Sequence, residues 1–361
     1  MKSIMRLIRN IWVAMLAALS PAAMLSCSEW IMPERLDVNN PTLAEQNPEL
    51  WEEYRQAVLA YKQRPHKAVF VLMDNPVGEP AVQHNRHLTS LPDSVDYIVL
   101  KNNGELDAGL TAEFDDVRNW GTRVLFMADC DTYEKEWEAL VRENDALEEH
   151  EELTSAQHME YLTRRTKEDL SMDDCYDFDG VIFSYTGKSL VSIPEEEMAD
   201  HAAVQAAFLN EAAAWKSSNV GKVMAFMGRP EFITEGANRS LLSECAYIIV
   251  PTDNAKNESD ISLKVMSALN SGYGSDCIIV TALEPDPADK ERINGYFSTL
   301  DGHGSKIRSL YGTAYWMLRE PSDWTRCGML IKNSEYDYYD QSGAVYRHLR
   351  EAMSIMNPSK K

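Results

Sequence analysis

Seven residues stand out for their chemistry because each follows an apolar run, where a strand would end. They carry hydroxyl, amide or carboxylate groups, and two of them add an aromatic ring. The set is Ser184, Tyr185, Thr186, Asn102, Asp129, Asn333 and Tyr336. Aromatic rings pack on C–H surfaces, and a few fixed polar groups orient the hydroxyls of a ligand. These residue types suit a ligand that offers both apolar faces and hydroxyl groups, and a sugar is one such ligand.

The stretch YDFDGVIFSYTG, residues 176–187, raises the question of catalysis most directly. Asp179 precedes a continuous apolar run, and the small polar residues Ser184 and Thr186 lie at its end. General acid catalysis needs a group whose pKa lies near the working pH. A threonine hydroxyl does not meet that requirement. The end of this run therefore offers hydroxyl groups and no general acid, and we predict no catalytic residue there.

The elements that position these residues follow from the hydrophobic pattern. Eight apolar runs predict strands at 66–73, 94–100, 122–127, 180–185, 222–227, 246–250, 277–281 and 327–331. Helical patterns occupy 155–170, 198–217, 261–269, 306–318 and 343–356, and an acidic helix is expected within 133–153. Continuous rather than alternating apolarity indicates strands that are covered on both faces, as in a parallel sheet. Strands separated by helices predict βαβ units.

This order predicts an α/β fold, a (β/α)8 TIM barrel in a single large domain. The rival architecture is an open doubly wound sheet, which commonly has a glycine-rich turn after its first strand. The corresponding turn here reads MDNPVGEP and lacks that pattern. Because side chains at the carboxyl ends of barrel strands build the active face, the seven residues are expected to meet there.

The N-terminus has the pattern of a secretion signal. Lys2, Arg6 and Arg9 precede an apolar run at 11–25, and Cys27 follows immediately after Met-Leu-Ser. This arrangement resembles a bacterial lipoprotein signal, which predicts a signal peptide at 1–26 and lipidation of Cys27. A plain signal peptide or a membrane helix remain the alternatives. We expect a tether at 27–50, the barrel at 51–361, and an outer-membrane lipoprotein exposed at the cell surface.

Charge and composition limit the partners. The formal net charge of −22 opposes the approach of nucleic acid, whereas a neutral sugar meets no such barrier. Besides Cys27, five cysteines occur without a CxxC pair, and His84 and His87 form an isolated HxxH. Neither pattern is that of a metal centre, so we predict no metal and no cofactor.

With these residues in place, the fourth predicted strand resembles the signature of glycoside hydrolase family 18, DGxDxDxE. Asp179 and Gly180 match its start, Ile182 and Ser184 stand at the two following aspartates, and Thr186 stands at the glutamate. The stretch LPDSVDYIVL resembles the second strand of that family. The stretches CSEW and PERLDV resemble the start of family 18-like lipoproteins from gut Bacteroidetes.

The resemblance implies a barrel of the chitinase and endo-β-N-acetylglucosaminidase type with a degenerate catalytic motif. Members of the family use the glutamate as general acid, while an aspartate orients the acetamido group of the substrate. With Thr186 and Ser184 at those positions, the resemblance implies binding without cleavage. The expected ligands are oligosaccharides that contain N-acetylglucosamine, N-glycans among them. The expected partners are the membrane, through the lipid anchor, and an outer-membrane glycan importer and glycosidases.

Two alternatives stay open. One is an active glycosidase whose acid has moved to another strand end, and the other is an interaction scaffold that binds no carbohydrate. The candidate acids of the first alternative are Asp129, Asp131, Glu231, Asp253, Glu284, Glu335 and Asp337.

Overall fold

The computed structural model describes residues 42–102, 104–148, 152–272, 278–319, 324–339 and 343–358. The chain divides into two compact units, Met1–Tyr54 and Arg55–Lys361. The predicted signal peptide, Cys27 and most of the predicted tether lie outside the described residues. Among the described residues, none of the helices is both long and apolar enough to cross a membrane.

The second unit is built on a closed barrel of eight parallel strands, which confirms the predicted fold class. Its strands are β1 (Ala68–Met73), β2 (Tyr97–Leu100), β3 (Arg123–Asp129), β4 (Gly180–Tyr185), β5 (Val223–Gly228), β6 (Tyr247–Val250), β7 (Ile278–Leu283) and β10 (Arg326–Lys332). The strands follow one another in sequence order around the barrel, and β10 closes it against β1.

Two short strands, β8 (Tyr296–Leu300) and β9 (Lys306–Arg308), form a separate antiparallel hairpin after β7. The prediction of a helix at 306–318 is therefore wrong at its start. The Asp301 carboxylate accepts backbone hydrogen bonds from His303 and Ser305, both at 2.8 Å, and this turn folds the chain back on itself. Because β9 pairs with β8, residues 306–308 form a strand and the helix begins only at Ser309.

The first unit contains α1 (Leu43–Gln46), and α2 (Pro48–Lys62) begins in that unit and ends in the second. In the second unit, helices follow the strands of the barrel. They are α3 (Ala108–Arg118), α4 (Cys130–Asp145), α5 (Ser155–Leu170), α6 (Met172–Tyr176), α7 (Met198–Ser218), α8 (Ala237–Ser240), α9 (Glu258–Leu269), α10 (Ser309–Met317), α11 (Glu335–Tyr338) and α12 (Arg347–Met356). The observed α5 matches its prediction residue for residue, because Thr154 and Gln157 form a capping box that fixes its start.

The core has two layers that follow the period of two in each strand. On β4, Ile182 belongs to the cluster inside the barrel, whereas Val181, Phe183 and Tyr185 belong to the cluster between the strands and the helices. Each side chain of this kind stabilises the fold by about 1.5–3 kcal/mol when fully buried. The same alternation decides which residues at the strand end face the barrel axis.

Candidate functional site

The carboxyl ends of the barrel strands surround a cavity of about 550 Å³. Its floor is apolar and includes Leu72, Met127 and Met227. Its walls carry hydroxyl, amide, carboxylate and cationic groups from the strand ends and the loops that follow. The polar lining comprises Asp74, Lys101, Asp129, Asp131, Lys135, Ser184, Thr186, Arg229, Asp253, Asn254, Lys264, Lys332, Asn333, Glu335 and Tyr336.

The end of β4 contributes two small hydroxyl residues to this cavity. Ser184 and Thr186 both line it, while Ile182 is completely buried one step deeper inside the barrel. The backbone N–H of Thr186 donates to both carboxylate oxygens of Asp131 at 3.1 Å, and that of Gly187 donates to one at 3.4 Å. The Asp131 carboxylate therefore holds the turn that places Thr186 at the mouth.

Tyr185 does not line the cavity, which departs from the expectation that its ring stacks on a sugar. It points away from the barrel axis, only 5% of its surface is exposed, and its hydroxyl accepts a hydrogen bond from Gln205 at 3.0 Å. Burial raises the pKa of Tyr185 above its ordinary value, so the phenol stays neutral. The alternation of β4 sends Ser184 and Tyr185 to opposite sides of the strand.

The other predicted residues divide between two neighbouring cavities. Asp129, Asn333 and Tyr336 line the first one. Tyr336 is 38% exposed and supplies the only aromatic ring among the described residues of that lining. Asn102 lines a second cavity of about 550 Å³, which shares Lys101, Met127 and Asp129 with the first.

The side-chain amide of Asn102 is hydrogen-bonded to the neighbouring loop, which follows β1. It donates to the Asp74 carboxylate at 3.2 Å and to the Asn75 carbonyl at 2.8 Å. Its contribution is therefore to join the loops after β1 and β2, at the edge where the two cavities meet.

The first cavity also holds five cations. The sequence pattern did not predict Lys101, Lys135, Lys264 or Lys332 there, and the fifth cation is Arg229. The five cations face five acidic residues, so the lining is balanced although the chain as a whole carries a charge of −22. Lys101 lies 3.3 Å from Asp74, and Lys332 lies 3.3 Å from Asp253. Lys101 and Lys332 both stand at the end of an apolar run, and this position in the sequence could have indicated that they lie at strand ends facing the cavity.

Two carboxyl groups of the cavity have pKa values shifted in opposite directions. Burial opposes ionisation of Asp253, but Lys332 and a hydrogen bond from Thr281 outweigh it and hold the pKa of Asp253 below its ordinary value. Burial, reinforced by the charge of Asp74, raises the pKa of Glu335. Such a divergence is the usual condition for assigning an acid and a base in one site.

Three of the candidate acids lie outside the cavity. Glu231 pairs with Arg229 at 2.7 Å, Glu284 pairs with Arg308, and Asp337 accepts the backbone N–H groups of His348 and Leu349. Glu284 and Asp337 also lie near His348, as described next.

One group of side chains has the composition of a cation site. Glu284, Asp337 and His348 offer ligand atoms that lie within 4.8 Å of one another. Glu284 is paired with Arg308, Asp337 accepts backbone hydrogen bonds at the start of α12, and the His348 ring is hydrogen-bonded to the Tyr311 hydroxyl at 2.5 Å. These contacts therefore join Glu284 to β9, α11 to the start of α12, and α12 to α10.

A closed eight-stranded barrel with a polar cavity at the carboxyl ends of its strands defines a TIM-barrel protein, and the cavity lies on the face where proteins of this fold have their active sites. The sequence matches the family described as glycoside hydrolase family 18, BT1044-like, over residues 31–355. The chain belongs to this family.

One solved structure agrees with the assignment at the level of the fold, and a second is given beside it for its similarity alone. A selenomethionine-labelled variant of BT1044 is 16% identical, with a TM-score of 0.58 over 88% of this chain and 96% of that one. An endo-β-N-acetylglucosaminidase from Cordyceps militaris in its apo form is 15% identical, with a TM-score of 0.49 over 85% and 96% of the two chains. A comparison with curated proteins gave no match.

Proposed function

We propose that the chain binds oligosaccharides containing N-acetylglucosamine in the cavity at the barrel mouth and does not hydrolyse them by the substrate-assisted route. One observation carries this proposal: the positions of the family motif that face the cavity or the barrel interior hold Ile182, Ser184 and Thr186. None of these side chains carries a carboxyl group.

The missing groups are the ones that the chemistry needs. A general acid contributes about 10²–10⁴-fold to the rate, and its pKa must lie near the working pH. The Thr186 hydroxyl lines the cavity at the end of β4 but does not ionise near neutral pH. Ser184 offers a hydrogen bond to an acetamido group but no charge to stabilise a developing cation.

The remaining groups suit recognition. A cavity of about 550 Å³ has room for a few sugar units, and its apolar floor and polar walls provide both kinds of contact that sugars need. Tyr336 offers a partly exposed ring at the rim. Asn333 and Asn254 add amide groups that donate to and accept from hydroxyls.

Binding and hydrolysis are tested on the same ligands, chitotriose and a free N-glycan. We expect binding by calorimetry and no product by mass spectrometry after prolonged incubation. Tyr336→Ala should weaken binding about three- to tenfold, because it removes a stacking surface. Tyr339→Ala is the matched control, since Tyr339 is 61% exposed and lies outside the cavity lining. Cleavage at an enzyme-like rate would reject the proposal.

Restoring the motif provides a gain-of-function test. The double substitution Ser184→Asp with Thr186→Glu returns two carboxyl groups to the cavity. We expect it to hydrolyse chitotriose at least about tenfold faster than the natural chain, because a positioned acid is then available. Equal rates before and after substitution, with binding retained, would show that the absence of these carboxyl groups does not explain the lack of cleavage.

The proposal includes a tether at the cell surface. Lipidation of Cys27 would hold the cavity above the outer membrane, where captured oligosaccharides pass to an importer and to glycosidases. We expect Cys27→Ala to move the protein from the membrane fraction to the soluble fraction after secretion. Retention of the variant in the membrane fraction would argue for an uncleaved N-terminal helix instead.

A second candidate function is hydrolysis with a relocated acid. The observation in its favour is Glu335, which lines the cavity and has a pKa raised by burial, while the pKa of Asp253 is lowered in the same cavity. If the natural chain cleaves chitotriose, Glu335→Gln should abolish the activity. Glu244→Gln, an exposed change outside the cavity, should not alter it. Equal activity in both variants would exclude Glu335 as the acid.

A further inference from the structure

A third and larger cavity, of about 910 Å³, lies beside the hairpin that follows β7. Strands β8 and β9, the start of α9 and the exposed side of α10 form its walls. We call it the hairpin cavity; it is lined by Asn257, Glu258, Ser259, Arg292, Tyr296, Phe297, Thr299, Asp301, Lys306, Ile307, Arg308, Tyr311, Gly312, Tyr315 and Arg319. None of these residues belongs to the lining of the first cavity at the barrel mouth, which we call the mouth cavity.

The hairpin cavity is basic although the protein is acidic. It holds four basic residues and two acidic ones, Glu258 and Asp301, in a chain whose net charge is −22. Glu258 pairs with Arg319 at 2.7 Å, and Asp301 keeps its charge while it accepts the backbone hydrogen bonds of the hairpin turn. Arg308 pairs with Glu284, which lies outside the lining. Because four basic residues face these three carboxylates, the local charge is still positive.

Two cations in this cavity remain available. Within the described part of the chain, Arg292 and Lys306 form no ion pair with a carboxylate. The Lys306 ammonium donates to the backbone carbonyls of Glu291 and Arg292 at 3.1 and 2.9 Å, which fixes its position without neutralising its charge. The guanidinium of Arg292 lies 5.7 Å from the centre of the Tyr296 ring.

Aromatic surface accompanies these charges. The Tyr296 ring lies near both Arg292 and Arg308, whose guanidinium carbons are 5.7 and 5.9 Å from its centre. Tyr315 on α10 is 54% exposed and lines the same cavity. Planar rings beside guanidinium groups provide stacking for a sugar ring together with two-pronged hydrogen bonding for a carboxylate or sulfate.

We propose that the hairpin cavity is a second binding site and that it takes an acidic saccharide. The anionic group is bound by Arg292 and Lys306, and a sugar ring packs on Tyr315. A short saccharide interacts mainly with charges within a Debye length of about 8–10 Å, so the local positive charge outweighs the distant acidic surface. A long polyanion such as nucleic acid meets that acidic surface and is repelled. This site goes beyond the function proposed for the mouth.

The test is calorimetric titration of the full secreted chain with trigalacturonate, a sulfated carrageenan tetrasaccharide and neutral galactotriose. We expect at least one anionic ligand to bind, galactotriose to bind about tenfold more weakly, and the anionic affinity to fall as NaCl rises from 50 to 500 mM. The carboxylated and sulfated probes distinguish which anion is preferred.

Substitutions locate the binding. Arg292→Gln should weaken binding of the anionic ligand roughly three- to tenfold. Tyr315→Ala should weaken it comparably, and Tyr315→Phe, which keeps the ring, should restore it. Arg142→Gln on α4 is the matched control, because Arg142 is an exposed arginine outside both cavities. All four variants are checked for an unchanged melting temperature.

Two results would overturn the proposal. The first is equal binding of charged and neutral probes, or binding of neither. The second is loss of anionic binding with Tyr336→Ala but not with Arg292→Gln, which would place the ligand in the mouth. Because neutral chitotriose binding at the mouth is measured separately, failure of this proposal is distinguishable from failure of the first.

Discussion

The ion pair of Lys332 and Asp253 shows how single residues shape the mouth cavity. The Lys332 ammonium lies 3.3 Å from Asp253, and the Thr281 hydroxyl donates to the same carboxylate oxygen at 2.7 Å. Both charged side chains are partly buried, so screening by water is weaker than at the surface. The pair joins the loop after β6 to the end of β10, and it prevents the carboxylate from serving as a proton donor near neutral pH.

Replacing Lys332 by Met should therefore destabilise the protein in a pH-dependent way. The folded pKa of Asp253 lies below its ordinary value of 3.8, so the ionised carboxylate stabilises the fold above that pH, and this contribution is lost as pH falls through the folded pKa. We expect a loss of about 1–3 kcal/mol at pH 7 that shrinks below about pH 4. Urea unfolding from pH 3 to pH 7 measures it.

The Lys101 pair is the matched control for that measurement. Lys101 lies at the same 3.3 Å from Asp74, but both side chains are about half exposed. Lys101→Met should cost only about 0–1 kcal/mol. Equal losses for the two variants at all pH values would contradict the role assigned to burial.

At the scale of elements, the junction of β4 and β5 sets the geometry of the mouth. Gly228 ends β5 with a φ of +157°, and a Cβ placed there would lie 1.9 Å from the carbonyl oxygen of Tyr185. The two strands can approach this closely only because Gly228 has no side chain. That approach places Ser184 beside Met227, and both line the cavity.

Gly228→Ala should consequently separate the strand ends. We expect destabilisation by more than about 2 kcal/mol, because the clash is with backbone and cannot be relieved by a rotamer change. Gly221→Ala is the control: nothing lies within 4 Å of its added Cβ, so its effect should be near zero. Denaturant unfolding measures both variants, and a Gly228→Ala protein as stable as the control would show that the junction is more adaptable than its contacts indicate.

The elements also show what the sequence could predict. The eight strands were recognisable because burial on both faces demands continuous apolarity, as in β4, where every residue is buried. The hairpin of β8 and β9 was missed because its pairing depends on a turn, and its exposed residues carry no hydrophobic pattern. The outward direction of the Tyr185 side chain could have been predicted, because alternation along the strand places it on the opposite side from Ser184 and Thr186. The ion pairs of the mouth cavity could not have been predicted, because they join residues from separate loops.

At the scale of the whole molecule, charge is unevenly distributed. The chain carries −22 overall, while the mouth cavity is balanced and the hairpin cavity holds four basic residues against two acidic ones. Repulsion among the many carboxylates destabilises the compact state at neutral pH. The linings of the mouth cavity and the hairpin cavity therefore differ in net charge from the acidic protein as a whole. We expect salt to affect ligand binding differently in the two cavities.

Salt should therefore stabilise the protein while leaving neutral ligand binding unchanged. Raising NaCl from 20 to 200 mM shortens the Debye length to less than half, which screens repulsion among exposed carboxylates and should raise the melting temperature by a few degrees. Chitotriose carries no charge and the mouth lining is balanced, so its affinity should change less than about twofold. Calorimetry of unfolding and of binding measures both quantities in the same buffers. A chitotriose affinity that fell steeply with salt would mean that the ligand engages charged groups directly, and the mouth would then have to be described as an ionic site rather than a neutral one.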